Sequence, residues 1–259
     1  MTMTPAPGPR KSLGGKWLLI GGLGCLGLLL LGGCILAGVL GFLWSRAPTS
    51  SVELDEPVQT LPPVDSADRP VAGAPAESVA YTPDRSQLNA NLQQKYVPFT
   101  FTIPAGWRVV ERGDQPDASN FVKVEKQDDT QSTVGNFAVG WMSGAGSLDR
   151  DKQLYSTLSD QMEQQFTQGF QNFTKTGAGP VTINGYDGYQ LLFRAKVDDN
   201  GETIPLCGRM IMISGGNVGQ QNGVTLLMLA TDKSAITNPA DIGASGDYAT
   251  LLNSFTLVR

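Results

Sequence analysis

A chain without a single histidine has a restricted chemistry. Ser-His-Asp and Cys-His nucleophilic triads, histidine-ligated zinc and imidazole acid–base catalysis are all excluded. Its three cysteines, Cys25, Cys34 and Cys207, are too few for a four-thiolate zinc site, and the first two fall in an apolar run. Cys207 is therefore expected as a buried strand residue; a reactive thiolate needs exposure and positive neighbours. Arg209 shares a strand face with Cys207 and Ile211, where an unpaired charge is expensive. Three readings stand for it: an ion pair with Glu202 or Asp232, an exposed position, or the grip on an anionic ligand. It is the candidate ligand-binding residue.

Other constellations are explained by local structure. Asp128-Asp129 and Asp198-Asp199 lack the alternating oxygen-ligand spacing of a calcium loop and read as turn residues. The stretch from Gly215-Gly216-Asn217 to Gly223 has no Lys-Ser/Thr ending, so it is no phosphate-binding loop. It is expected as a mobile hairpin tip, with a pocket beneath it as a second candidate site. Trp107 and Trp141 are expected in the core. No catalytic residue, metal site or cofactor is implied. The net charge of −5 argues against a nucleic-acid partner, which would require a basic patch.

The elements that must position these residues follow from the pattern of the chain, which has 259 residues, 41% of them apolar. Residues 17–44 carry no charge and are bounded by Trp17 and Trp44. At 1.5 Å per residue such a run crosses a hydrocarbon core of roughly 30 Å with some tilt. An uncleaved single-pass anchor is expected, since a cleaved signal peptide has a shorter apolar region. The LGGC at 31–34 loosely resembles a lipobox, which makes a lipoprotein acylated at Cys34 the less favoured alternative. Arg10, Lys11 and Lys16 precede the run, while Glu53, Asp55 and Glu56 follow it. The N-terminus, residues 1–16, is thus placed in the cytoplasm and the remainder outside. Gly33, Ala37 and Gly41 recur every four residues and share one helix face, a candidate surface for self-association.

Residues 45–94 read as a disordered acidic linker. Over 46–90, seven prolines interrupt regular structure and acids outnumber bases seven to three. The folded domain is expected over 95–259. Alternation predicts strands at 98–103, 107–110, 120–126 and 134–142. A helix follows, capped by Ser147 or Asp149 with Asp151 in its first turn. Leu154, Leu158, Met162, Phe166 and Phe170 form its buried stripe, and Gln161, Gln164, Gln165, Gln168 and Gln171 its solvated face. Gly177, Gly179 and Pro180 are expected to end that element. Strands follow at 189–197, 203–213 and 224–230, the last two apolar on both faces. A short helix at 248–252 and a final extended segment close the chain. Strands covered on both sides need layers above and below. The expected class is α+β: a three-layer α/β/α sandwich around an antiparallel sheet, preceded by one transmembrane helix.

Three segments carry a family resemblance. Residues 101–107 (FTIPAGW) resemble the opening hairpin of the PsbP-like domains, 183–190 (INGYDGYQ) the glycine-marked entry to their central strands, and 251–257 (LLNSFTL) their closing helix and strand. The resemblance covers roughly 95–259. It implies an α/β/α sandwich and a role in binding or assembling other proteins, as in photosystem II oxygen-evolving subunits and a Ran-binding nuclear import factor. The histidine-based metal contacts of the plant photosystem members have no counterpart here. The expected function is a non-catalytic, membrane-anchored protein-binding module, an assembly or stabilising factor for an envelope complex with a protein partner at the membrane. The alternative is an extracytoplasmic sensor of a small molecule or anion.

Overall fold

The computed structural model describes residues 77–116, 118–199 and 202–258. The expected anchor at 17–44, with Cys34 and the Gly33/Ala37/Gly41 face, lies outside them, as does the linker up to residue 76. No helix among the described residues is long and apolar enough to cross a membrane.

Structure begins earlier than the sequence pattern suggests, which corrects the linker boundary at 94. β1 (Val79–Tyr81) pairs antiparallel with β2 (Phe99–Ile103). α1 (Ala90–Lys95) is capped by Asn89, whose side chain accepts the Leu92 amide at 2.9 Å. Leu88 and Leu92 are buried. A pair of leucines and one cap suffice to anchor a short helix to a core, so the prolines upstream do not decide this segment.

β2 alternates as expected: Phe99, Phe101 and Ile103 are buried and the two threonines between them half-buried. It also pairs with β10 (Thr256–Leu257), giving a small three-stranded sheet. Pro104 to Gly106 turns the chain, with Gly106 at φ +80°, into β3 (Trp107–Arg112). β4 (Asn120–Gln127) and β5 (Thr133–Met142) follow as hairpin-connected neighbours. The chain then leaves through α2 (Leu148–Gly169) and re-enters the sheet at its far edge with β6 (Gln171–Ile183). β7 (Tyr186–Asp199), β8 (Glu202–Ile213) and β9 (Gly223–Thr231) return strand by strand until β9 pairs with β5. The resulting seven-stranded order is β3-β4-β5-β9-β8-β7-β6, antiparallel throughout. α3 (Gly246–Asn253) precedes β10.

Two cores fill the two faces of this sheet. On one face Phe99, Phe101, Phe121, Phe137, Trp107 and Phe255 pack with the inward residues of β4, β5, β8 and β9. This face is covered by α1, the small sheet and α3 together, so the layer is mixed rather than the purely helical one expected. On the other, α2 contributes Tyr155, Leu158 and Phe166 against Leu191, Phe193, Met210 and Met212. β8 and β9 serve both cores, which explains their two apolar faces. The structure is a sheet-rich α+β fold.

α2 ends at Gly169, and the segment expected to be its terminator is instead the long strand β6. β6 is an edge strand with two register shifts. An edge strand tolerates the missing N–H of Pro180, because one side of its ladder is unpaired. The glutamine face is also amended. Gln164, Gln168 and Gln171 are exposed, but Gln165 is 7% exposed and its Oε1 has no hydrogen-bond partner. Leu154, Met162 and Phe170 are only partly buried.

Candidate functional site

α2 lies over β6 and β7 and reaches Met142 of β5 and Leu229 of β9, covering the rest of the same sheet face only in part. A small groove, partly open to solvent, runs along this boundary. Met162 and Phe166 of α2 form one wall. Ala138, Gly140, Met210 and Leu227 line its apolar surface, and Asn120, Lys123, Asn136 and Thr225 supply polar groups.

The sequence makes this trough locally. A Cβ on Gly140 would lie 2.7 Å from Thr225 Oγ1 and 3.1 Å from Asn120 Oδ1, so no larger residue fits without displacing them. Asn120 is 5% exposed, and its Nδ2 donates to Glu111 Oε1 and Ser119 Oγ at 3.4 and 3.5 Å. Farther along the same face of β4, Glu125 accepts Arg108 at 2.7 Å and Gln127 at 2.9 Å. That commitment leaves Lys123, two residues away on the same face, without an ion pair among the described residues. The polar complement is therefore a lysine, two amides and a threonine. It can hold a ligand, but it pairs no nucleophile with a base.

A second polar cluster joins α2 to the loop after β8. Asp151 is 2% exposed; its Oδ1 accepts the Ala145 amide at 2.5 Å and its Oδ2 the Ser214 hydroxyl. Ser214 Oγ accepts the Gly216 amide at 2.9 Å, and Ser214 N donates to Tyr155 Oη at 3.0 Å. Burial pushes the Tyr155 phenol up to about 12. These are residue types used by hydrolases, yet Ser214 is fully buried and its hydroxyl is engaged with the carboxylate. The cluster is a fastening. Asn217 extends it, accepting the Asp187 amide at 3.1 Å and donating to the Asp187 carbonyl at 3.0 Å. The Gly-rich segment, expected as a mobile tip, is fastened through Ser214 to Asp151 and Tyr155 and through Asn217 to Asp187. Ser147 does occupy the N-cap of α2, but without a side-chain cap bond.

Arg209 is half-buried beside neutral groups. Its Nε donates to Gln190 Oε1 at 3.1 Å and its Nη1 to the Ile242 carbonyl at 2.7 Å. It pairs with neither Glu202 nor Asp232 within ion-pair distance. Burial lowers its pKa. Cys207 is buried, and burial raises its thiol pKa. Trp107 is 1% exposed with its indole donating to Asp247 at 3.0 Å. Trp141 is partly buried, with the Lys95 ammonium 3.7 Å from its ring centroid. Asp128 caps the β4–β5 turn, accepting the Thr130 and Ser132 amides at 2.9 Å each. No group of three or more metal-ligating side chains is found among the described residues. The groove was invisible to sequence reading. Its only trace is the small pair Ala138 and Gly140 amid the larger residues of β5.

No protein-family model matches the chain, and no curated protein sequence does. Solved structures do. The solution structure of PsbP from the cyanobacterium Synechocystis is 13% identical, over 76% of this chain and 99% of that one, with a TM-score of 0.46. LpqN of Mycobacterium tuberculosis, involved in cell envelope biogenesis, is 12% identical over 70% and 92% (TM-score 0.40). The Ran-binding protein Mog1p of Saccharomyces cerevisiae is 12% identical over 62% and 90% (TM-score 0.39). All three share the PsbP-like fold, in keeping with the resemblance at 101–107, 183–190 and 251–257. At such identities and TM-scores the likeness carries no argument about function.

Proposed function

We propose that this chain is a non-catalytic protein-binding module, an assembly or stabilising factor for an envelope complex, held at a membrane by residues 17–44. The groove beside α2 is the seat of binding. The observation that carries this reading is a partly open groove between α2 and the sheet, with an apolar floor and polar groups that include no acid–base pair. An apolar floor within a polar rim is the form of a protein-binding hot spot; the same cleft also fits a small molecule, which belongs to the second reading below. In this reading the N-terminus is cytoplasmic and the domain lies outside. The linker keeps the domain near membrane partners and raises its effective concentration there. Self-association through Gly33, Ala37 and Gly41 belongs to the same proposal.

Cross-linking of the full-length chain in its native membranes, followed by mass spectrometry, tests it. A variant lacking 77–259 is the control. A reproducible protein partner lost with the domain is expected. No partner, or cross-links only between copies of the chain, would overturn the assembly role. A second reading, an anion sensor, is favoured by the guanidinium of Arg209, which has only neutral hydrogen-bond partners. Sulfate titration of the wild type and Arg209→Gln separates the two: saturable binding lost in the variant would support the sensor.

A further inference from the structure

We propose that the groove receives an extended segment of the partner protein in which a large apolar side chain lies next to an aspartate or glutamate. This rests on the reading of the groove as a protein-binding site and names what enters it.

The apolar component follows from the floor. Ala138 and Gly140 are the smallest side chains on the outward face of β5, and the depth they leave is bounded by Met162 and Phe166. The opening lies between one helix and one sheet face and is lined mainly by apolar side chains, which suits an apolar side chain of the occupant. An apolar anchor seated in such a pocket within a polar rim is the arrangement of a binding hot spot.

The acidic component follows from charge. Lys123 is half-buried and faces the groove, while the nearest carboxylate on its own strand face, Glu125, already accepts Arg108 and Gln127. A half-desolvated ammonium beside an apolar trough is complemented by a carboxylate carried on the occupant. The extended backbone follows from Asn136. Its amide lines the groove and takes part in none of the side-chain hydrogen bonds of the described residues, leaving a donor and an acceptor suited to a peptide group.

The test is selection of a random peptide library on the full-length chain in phosphatidylcholine nanodiscs, followed by calorimetry with the selected peptide. Enrichment of an apolar residue within a few positions of Asp or Glu is expected. Lys123→Glu should weaken that peptide by about tenfold or more, and changing the peptide's acid to lysine should restore binding to this variant. Thr225→Trp, at a half-exposed position of the groove, should block binding while leaving the thermal melt of the domain in place. Selected peptides indifferent to both substitutions would overturn the proposal. So would a library that yields nothing while lauric acid binds saturably, which would assign the groove to a small amphiphile. A partner that cross-links in membranes only through residues outside the groove refutes this inference and leaves the binding-module reading intact.

Discussion

Asp151→Ala should destabilise the domain more than its place in the first turn of a helix suggests. The carboxylate accepts two hydrogen bonds in a site closed to water, from Ala145 N and Ser214 Oγ. Truncation leaves both donors unsatisfied, at about 1–3 kcal/mol each, so the expected loss is about 2–6 kcal/mol. The loss of an acid from a helix N-terminus adds about 0.3–1 kcal/mol. Asp151→Asn distinguishes this from simple packing. The amide oxygen still accepts Ala145 N, and its NH₂ meets Ser214 Oγ, which can turn to accept. The charge assistance is lost and the Ser214 hydroxyl proton gives up its acceptor, so a cost of about 1–2 kcal/mol is expected, below that of alanine. Urea unfolding followed by tryptophan fluorescence reads both variants. An unchanged m value would show that the effect lies in stability rather than in the compactness of either state. Equal costs for the two substitutions, or a loss under about 1 kcal/mol for alanine, would refute the buried fastening.

Gly208→Ala should lower the melting temperature markedly, because its Cβ would lie 2.0 Å from Phe193 Cζ. Overpacking of this kind costs about 1–3 kcal/mol, and adding Phe193→Leu should recover part of it. Asn184→Gly keeps the φ of +52° at the β6–β7 turn but removes donations to the Leu252 and Phe255 carbonyls at 2.8 and 2.7 Å. A loss of about 1–3 kcal/mol is expected in thermal denaturation, against a near-neutral result if the turn conformation alone matters. The Thr130 hydroxyl and the turn amides hold the Asp128 carboxyl down to about 2, from an ordinary 3.8. Between those values the unfolded chain binds more protons, so stability rises with pH through this window and is lost as pH falls toward 2. Asp128→Asn should flatten that part of an acid-unfolding profile; an unchanged slope would show that other carboxylates set it.

Much of the architecture is local and therefore legible in the chain. Alternation places Phe99, Phe101 and Ile103 on one face of β2, and the two-faced apolar runs of β8 and β9 announce strands buried on both sides. The missing histidine, the turn chemistry of Asp128 and the burial of Cys207 are equally readable, since each depends on residue type and near neighbours. Tertiary packing decides where local signals conflict. Gly177, Gly179 and Pro180 look like a helix terminator, yet they continue a strand because β6 has an open edge that tolerates them. Asp151 looks like a solvated N-terminal acid, yet the loop holding Ser214, sixty-three residues away, folds over it. The groove belongs wholly to this second class. Asn120, Asn136, Met162 and Thr225 come from four elements that meet only because β9 pairs with β5 and α2 settles over β6 and β7. Periodicity tells which side of an element is buried. The offset of a helix across a sheet is set by side chains interlocking over long sequence separations, and that offset is what leaves a groove open.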